Sequence, residues 1–445
     1  MADNPDRALA PSSAHLPAVI EQRTRIINRV MGELTSRDTE AFFRRHPEFF
    51  RLVVSRYYPL SEELIGRYVD WWDWEGLSDN KSLLWNGDLL DRFEELWNWG
   101  CLSGNEALPW NKELLEKYHE WDYEELNQKW DWEELSQNKA LPWTESLISY
   151  FADYWYWDIL SEKQELPWSI NFISSFHGRW DWNLLTRNEA LPWSEELLEW
   201  FEDSWNWSEL GKNTALPWSE SLIERYKENW NWCLLGGNRS FPWSETIFNR
   251  YYQDYLHYEL MLYDTMSYNS SVSWTEDLLE NPPEGTRWSY LSENEGLPWS
   301  ETLIEHFADR WHWETLSNNQ VLPWTEALID RYADRWEWGR WGLSQNARLP
   351  WSEVLIDRYV DRWDWERLSR NRGLPWSEAL IERYADRWEW GELSRNKGLP
   401  WSHALYERFA DRWDVSAVAN HYDGGVRSLT PDQVGRLMKS LSFPE

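Results

Sequence analysis

Tyrosine side chains crowd one stretch of this chain, and tyrosine is a residue type that binds partners. Six of them lie within eighteen residues, at Tyr251, Tyr252, Tyr255, Tyr258, Tyr263 and Tyr268, with Met261 and Met266 among them. Rigid aromatic rings beside flexible methionine are typical of adaptable recognition surfaces. The composition of residues 251–288, with Arg287 as a candidate cation, predicts a protein-binding patch or a hinge. The alternative is decay of a structural unit in which one aromatic residue replaces another.

The side chains that carry catalysis form no recognisable constellation in the sequence. The nine histidines fall at unrelated positions, and His306 and His312 are six residues apart, which does not place them on one helical face. No HExxH, CxxC, P-loop or GxSxG motif occurs. Acidic residues are abundant but recur regularly, whereas a catalytic pair needs one special environment. We therefore expect a non-enzymatic protein with no cofactor and no metal.

A tandem repeat positions all of these residues. One copy spans residues 374–396 and reads LPWSEALIERYADRWEWGELSRN. Anchored on the first tryptophan, the copies begin at Trp85, Trp110, Trp143, Trp168, Trp193, Trp218, Trp243, Trp274, Trp299, Trp324, Trp351, Trp376 and Trp401, with a weaker first copy at Leu60. Most anchors are 25 residues apart, and the exceptions are spacings of 33, 31 and 27. A fixed period of this length indicates stacked structural repeats.

The pattern inside one repeat predicts two helices. If the anchoring tryptophan is position 0, Ser or Thr at +1 is an N-cap, and apolar residues at +4, +5, +8 and +12 share one helical face. The first helix is expected over about +2 to +12 and a second, short helix over about +14 to +19. Asparagine at +20 suits a left-handed turn at the helix end, and the following proline prevents continuation. The fold class is therefore all-α: a superhelical α-solenoid of about 14 helix–turn–short-helix repeats of 25 residues.

Four segments make up the expected domain organisation. Residues 1–15 are disordered, and residues 16–58 form a helical module that caps the first repeat or docks an acidic partner. Residues 59–415 form the solenoid, with irregular repeats at 110–142 and 243–298. Residues 416–445 form a C-terminal cap with a final helix that starts at Thr430 and Pro431. In the repeat at Trp110, a duplicated second half predicts an extra short helix.

The repeat motif resembles a known class of sequences. Residues 363–371, WDWERLSRN, followed by the LPW of residues 374–376, are similar to the tryptophan-rich WDWxxLSxN repeats of giant-virus proteins and to LPWS-type repeats of bacterial proteins. The resemblance covers roughly residues 59–415. It departs at Pro-Trp-Ser, where the viral repeats more often carry Thr-Trp-Glu. It implies a repeat fold and no particular chemistry.

Charge and composition limit the partners. A formal net charge of −33 opposes binding to nucleic-acid phosphates and to anionic membrane surfaces. No apolar run is long enough to span a membrane. The two cysteines, more than five repeats apart, predict a reducing compartment. Since no secretory signal is recognisable, we expect a cytoplasmic protein.

Three functions remain open at this point. The main hypothesis is a scaffold that binds a protein partner through its concave face or through residues 251–288. The first alternative is a carbohydrate-binding rod that uses exposed tryptophan faces, with the recurring asparagines in a polar groove. The second alternative is a structural protein that assembles with itself.

Overall fold

The described residues fold into short α-helices in a regular order. A computed structural model describes residues 37–119, 121–122, 127–242, 266–272, 274–282 and 285–442. Apart from one two-residue antiparallel pairing and two 3₁₀ turns, the regular elements in these ranges are α-helices. Neighbouring second helices contact one another within the array. The predicted all-α repeat solenoid is confirmed.

Most of the described repeats contribute two helices of about one and a half turns. The first helices are Glu62–Arg67, Gly87–Arg92, Lys112–Lys117, Glu145–Tyr150, Ile170–Ser175, Glu195–Trp200, Glu220–Arg225, Glu276–Glu280, Glu301–His306, Glu326–Arg331, Glu353–Arg358, Glu378–Arg383 and His403–Arg408. The second helices are Trp74–Ser78, Trp99–Gly104, Trp132–Gln137, Trp157–Glu162, Trp182–Arg187, Trp207–Leu210, Trp232–Leu235, Trp288–Glu293, Trp313–Asn318, Trp365–Arg370, Trp390–Ser394 and Val415–Ala419, with the 3₁₀ turn Leu343–Gln345 in the Trp324 repeat.

The chain divides into two compact modules. The terminal module contains the described residues within Met1–Leu84, Trp401–Ala410 and Val415–Glu445. The central module contains those within Trp85–Pro400 and Asp411–Asp414.

The first helix ends five residues earlier than the sequence pattern predicts, at +7 instead of +12. In the Trp376 repeat it is Glu378–Arg383, and Tyr384 already leaves the helical region at φ −117° and ψ 26°. The cause is the buried tryptophan at +12, because the indole N–H of Trp388 donates to the carbonyl of Ile381 at 3.1 Å. That carbonyl would otherwise accept the next backbone N–H of a longer helix. The indole therefore caps the helix at its C-terminal end.

The asparagine at +20 does not adopt the predicted left-handed conformation. Asn371 has φ −73° and ψ 119°, which is extended. Its amide donates to the carbonyls of Ser344 at 3.1 Å and Asn346 at 3.3 Å, and its side-chain oxygen accepts the N–H of Gly373 at 2.8 Å. Since Ser344 and Asn346 belong to the preceding repeat, asparagine joins consecutive repeats. It satisfies backbone groups that would otherwise be buried without partners.

The ladder of asparagines contains one lysine. Lys163 holds the +20 position and is buried, with its Nζ donating to the carbonyls of Ser136 and Gln137 at 3.0 Å each. Burial lowers the pKa of Lys163 from 10.5 to about 8. Because the folded-state pKa lies below the unfolded value, the charged ammonium destabilises the fold at neutral pH, and this cost is relieved as the pH rises from about 8 to 10.5.

Lys163→Asn is expected to stabilise the protein at pH 7. The substitution restores the neutral amide of the other repeats and removes a buried charge, with an expected gain on the order of 2 kcal/mol in the free energy of unfolding. Urea denaturation of both proteins at pH 7 and above pH 10 tests this expectation. The gain should shrink at the higher pH, and an equal gain at both pH values would contradict the electrostatic explanation.

Of the extra residues of the Trp110 repeat, residues 123–126 lie outside the described residues, and the described ones do not form the predicted short helix. Trp121–Asp122 pairs in antiparallel fashion with Asn127–Gln128. The indole of Trp130 donates to the carbonyl of Leu115 at 3.2 Å, so Trp130 occupies the +12 position of this repeat. The described extra residues before Trp130 therefore pair as two short strands instead of continuing the helical pattern.

In the terminal module, the helix Pro47–Tyr57 lies between the first repeat and the C-terminal residues. On one side, Ser55 accepts the backbone N–H of Asp73 at 3.2 Å and the amide of Asn80 at 2.7 Å, as serines of a preceding repeat do elsewhere. On the other side, the hydroxyl of Tyr57 donates to the carbonyl of Ala419 at 2.9 Å. The segment before the first repeat therefore supplies the second helix of an additional repeat.

Aromatic stacking strengthens the contact between N-terminal and C-terminal residues. The ring of Phe42 stacks on His403 with centroids 4.0 Å apart, and Phe49 stacks on Tyr406 at 4.7 Å. The final helix, Pro431–Ser442, begins with Thr430, whose hydroxyl accepts the N–H of Gln433 at 3.3 Å. Residues far apart in the sequence thus share one hydrophobic core in this module.

Candidate binding surface

The predicted tyrosine patch is described only in part. Tyr251, Tyr252, Tyr255, Tyr258 and Tyr263 lie outside the described residues, whereas Tyr268 and Arg287 lie inside them. Tyr268 and Arg287 both contact Tyr290, a residue that the sequence analysis did not identify. The ring of Tyr268 packs edge-on against Tyr290 with centroids 5.7 Å apart, and the guanidinium of Arg287 lies 5.7 Å from the same ring.

Backbone contacts hold this cluster in place. The N–H of Arg287 donates to the hydroxyl of Ser267 at 3.1 Å, which is the contact that joins successive repeats elsewhere. Tyr268 lies over Gly237, where an added Cβ would come within 3 Å of the tyrosine ring. A larger residue at 237 would therefore require the Tyr268 ring to move. Tyr268 is 40% exposed.

A second exposed aromatic residue lies two repeats further along. The 27-residue spacing after Trp324 places a turn at residues 339–342, and Trp341 on this turn is 60% exposed. The guanidinium of Arg340 lies 5.0 Å from its ring. Gly342 approaches the carbonyl of Glu337 so closely that a Cβ would overlap it. The 27-residue spacing is the feature of the sequence from which Trp341 could have been identified.

These residues lie on second helices, or on the turns beside them, in three repeats of the central module. The helix Trp288–Glu293, which carries Tyr290, contacts Trp313–Asn318, and this helix contacts the 3₁₀ turn that follows Trp341. We call Tyr268, Arg287, Tyr290 and Trp341 the aromatic edge. Tyrosine, tryptophan and arginine are the residue types that contribute most to protein–protein binding energy.

The tryptophans of the regular repeat are structural. Those at +12 are almost fully buried, and those at 0 and +14 are buried or half-buried. In the Trp351 repeat, for example, the indole N–H of Trp351 donates to Asn346 at 3.0 Å, and that of Trp365 donates to Val360 at 3.2 Å. A carbohydrate-binding rod requires rows of exposed rings, and Trp200 and Trp341 are the exposed tryptophans in the described part of the chain.

An open groove of about 700 Å³ lies beside the insertion of the Trp110 repeat. Its walls include Trp132, Tyr154 and Asp158. Tyr154 stacks on Trp132 with centroids 5.0 Å apart, and the neighbouring His119 has a buried Nε2 with no hydrogen-bond partner in the described residues. The groove therefore combines aromatic walls with carboxylates, which favours cationic side chains over anions.

The described ranges contain neither a metal-binding cluster nor a membrane-spanning helix. No group of three or more His, Cys, Asp and Glu side chains there is arranged to hold a metal ion. No helix among the same residues has the length and apolar character needed to cross a membrane.

Comparison of the chain with protein-family models, with curated proteins and with solved structures finds no match. The resemblance to tryptophan-rich viral and bacterial repeats therefore stays a prediction from the motif. The class of the protein rests on the fold itself, which is an all-α repeat array.

Proposed function

We propose that this protein is a non-enzymatic repeat scaffold that binds a protein partner through the aromatic edge. The observation that carries the proposal is the contrast between two groups of aromatic residues. The regular tryptophans are packed into the array, whereas Trp341 is exposed beside Arg340, and Tyr268 is exposed against Tyr290, the ring that Arg287 approaches. A rigid array holds such side chains in place at little cost in conformational entropy on binding.

The spacing of the edge fits a protein partner. Tyr290 and Trp341 are separated by two repeat layers, or roughly 20 Å at 8–10 Å per layer. A small ligand does not reach both, but one face of a globular domain or a long helix does. Two aromatic anchors within one interface of ordinary size are expected to supply much of its binding energy.

Replacing the edge residues is expected to abolish capture of the partner. Tyr268→Ala with Tyr290→Ala removes one anchor, Trp341→Ala removes the other, and each should weaken binding by about tenfold or more. The assay is affinity capture with the full chain, in which a photo-crosslinking amino acid at position 268 labels the bound protein for mass spectrometry.

Trp200→Ala is the matched control for these substitutions. Trp200 is 63% exposed but ends the first helix Glu195–Trp200, away from the aromatic edge. Capture by this variant should equal that of the unmodified protein. If Trp200→Ala and Trp341→Ala weaken capture equally, binding depends on general hydrophobicity, and the proposed edge is wrong.

Self-assembly is the competing function that this experiment distinguishes. If the cross-linked species is a second copy of the chain, the aromatic edge is an assembly contact. Sedimentation velocity at increasing protein concentration gives the same distinction without a cross-linker.

A further inference from the structure

Arginine at position +11 plays a recurring part in the central module. Its guanidinium reaches back to the preceding repeat and makes three contacts there: the carbonyl at +9, the aspartate at +10 and the face of the tryptophan at +14. Five arginines do this: Arg179, Arg335, Arg362, Arg387 and Arg412. We call the three groups that receive the guanidinium an arginine slot.

The geometry of the occupied slots is constant. The guanidinium donates to the carbonyl at between 2.6 and 3.0 Å, and its carbon lies between 5.3 and 5.7 Å from the centroid of the tryptophan ring. In the slot of Arg335, for example, Nη1 donates to Ala308, Nη2 donates to Asp309 at 2.8 Å, and Trp313 lies beneath. The slot therefore favours a guanidinium, which is planar, carries two donors and can stack on the tryptophan ring.

In the described part of the central module, one slot is complete except for its arginine. In the Trp193 repeat, the carbonyl belongs to Glu202, the aspartate is Asp203 and the ring is Trp207, but the next repeat supplies Asn229 at +11. Asn229 is exposed, and Asp203 has no ion-pair partner in the described part of the chain. The slot therefore presents its three groups to solvent.

The walls of this slot match those of an occupied one. Trp207 lies 4.7 Å from Tyr226 and 5.0 Å from Trp230, while in the slot of Arg335 the two corresponding distances are both 4.7 Å. The indole of Trp207 donates to the carbonyl of Glu202 at 3.2 Å, as the indole in the occupied slot does to its own carbonyl. The hydroxyl of Tyr226, in the same wall, is buried without a hydrogen-bond partner among the described residues.

Three other slots in the described part of the central module lack arginine and differ from this one. At Trp99 the place of arginine is taken by Lys129, whose Nζ lies 5.6 Å from the ring centroid. At Trp132 the ring of Tyr154 covers the tryptophan face. At Trp182 the +10 position is Gly178, which has no carboxylate, and Ser204 is hydrogen-bonded to His177 at 3.0 Å. The slot at Trp207 keeps its carboxylate, and its +11 residue, Asn229, supplies neither a ring nor a cation to the tryptophan face.

We propose that the slot formed by Glu202, Asp203 and Trp207 binds an arginine side chain of a basic polypeptide partner. Exposed Glu202 and Glu228 flank the slot, so the surrounding charge favours a basic segment. The occupied slots show that this protein already binds arginine in this geometry from its own chain. The proposal specifies the chemistry of a partner at a second site, separate from the aromatic edge.

The test places an arginine of the chain itself in the slot. Asn229→Arg restores the missing internal arginine, and it should block an external one. The probe is a fluorescein-labelled peptide of five Gly-Arg repeats, with its Gly-Lys counterpart, measured by fluorescence anisotropy on the full chain at ~150 mM salt. Asn229→Arg is expected to weaken binding of the arginine peptide by about tenfold. The lysine peptide should bind the unmodified protein more weakly, because an ammonium cannot bridge carbonyl, carboxylate and ring together.

Two further variants make the result specific. Asn171→Arg adds the same charge at an exposed position on a first helix and should leave arginine-peptide binding within about twofold. Arg335→Asn opens an equivalent slot at Trp313 and should increase the binding. The proposal is overturned if Asn229→Arg and Asn171→Arg weaken binding equally, or if both peptides bind equally well. It is also overturned if Asn229→Arg abolishes only self-association, because the occupant would then be a second copy of the chain.

The result can be read independently of the aromatic edge. The peptide assay needs no natural partner, so a failure of capture at Tyr268 or Trp341 leaves its outcome unchanged. Conversely, loss of peptide binding in Asn229→Arg says nothing about the edge. A partner that uses both sites would be affected by either set of substitutions.

Discussion

Trp388→Ala is expected to destabilise the Trp376 repeat by about 3–5 kcal/mol. Trp388 is 4% exposed and packs against Trp365 at 4.8 Å and Trp376 at 5.0 Å between ring centroids. Removing its ring leaves a cavity between two repeats and frees the carbonyl of Ile381 in a buried position. Urea denaturation followed by circular dichroism measures the total effect, and hydrogen exchange locates it.

Two companion variants separate the causes of this loss. Trp388→Phe keeps an aromatic ring but removes the indole N–H, and it should cost roughly 1–3 kcal/mol because the Ile381 carbonyl loses its partner. Trp341→Ala removes an exposed ring and should change stability by no more than about 0.5 kcal/mol. If Trp388→Ala changed the free energy of unfolding as little as Trp341→Ala, the +12 tryptophan would not be essential to the packing between repeats.

Features that depend on local sequence could be predicted. The hydroxyl of Ser377 accepts the N–H of Leu380 at 3.1 Å, as expected for an N-cap, and the second helix Trp365–Arg370 has the predicted length. Both follow from residues within one turn of each other. The helix end at +7 does not, because it depends on an indole that returns to a carbonyl seven residues earlier.

Features that depend on other repeats could not be predicted from one repeat's pattern. The extended backbone of Asn371 follows from carbonyls of the preceding repeat, which no single-repeat pattern reveals. At the candidate surface, the sequence identified Tyr268 and Arg287 by composition but missed Tyr290, which brings them together. Equally, Asn229 is unremarkable as a residue, and only the occupied slots elsewhere show what its repeat lacks.

Phe49→Ala is expected to reduce the protection from hydrogen exchange of residues near 431, although these positions are almost the whole chain apart. Phe49 is 1% exposed and stacks on Tyr406 and Tyr422, with centroids 4.7 and 6.0 Å apart. Phe49→Ala leaves a cavity in the core of the terminal module and is expected to cost about 3–5 kcal/mol there. Hydrogen exchange should then rise both in Pro47–Tyr57 and in Pro431–Ser442.

The same contact can be broken from its other side. Gly424 has φ +58°, and a Cβ there would lie 2.8 Å from the ring of Phe49. Gly424→Ala is therefore strained both by its backbone and by this contact. It should increase exchange in Pro47–Tyr57, while Leu84→Ala, at an 85% exposed position, should not. A cap that covered only the first repeat would confine the effect of Phe49→Ala to N-terminal residues. Reciprocal loss of protection would instead show that the two ends of the chain fold as one unit, so that each stabilises the other.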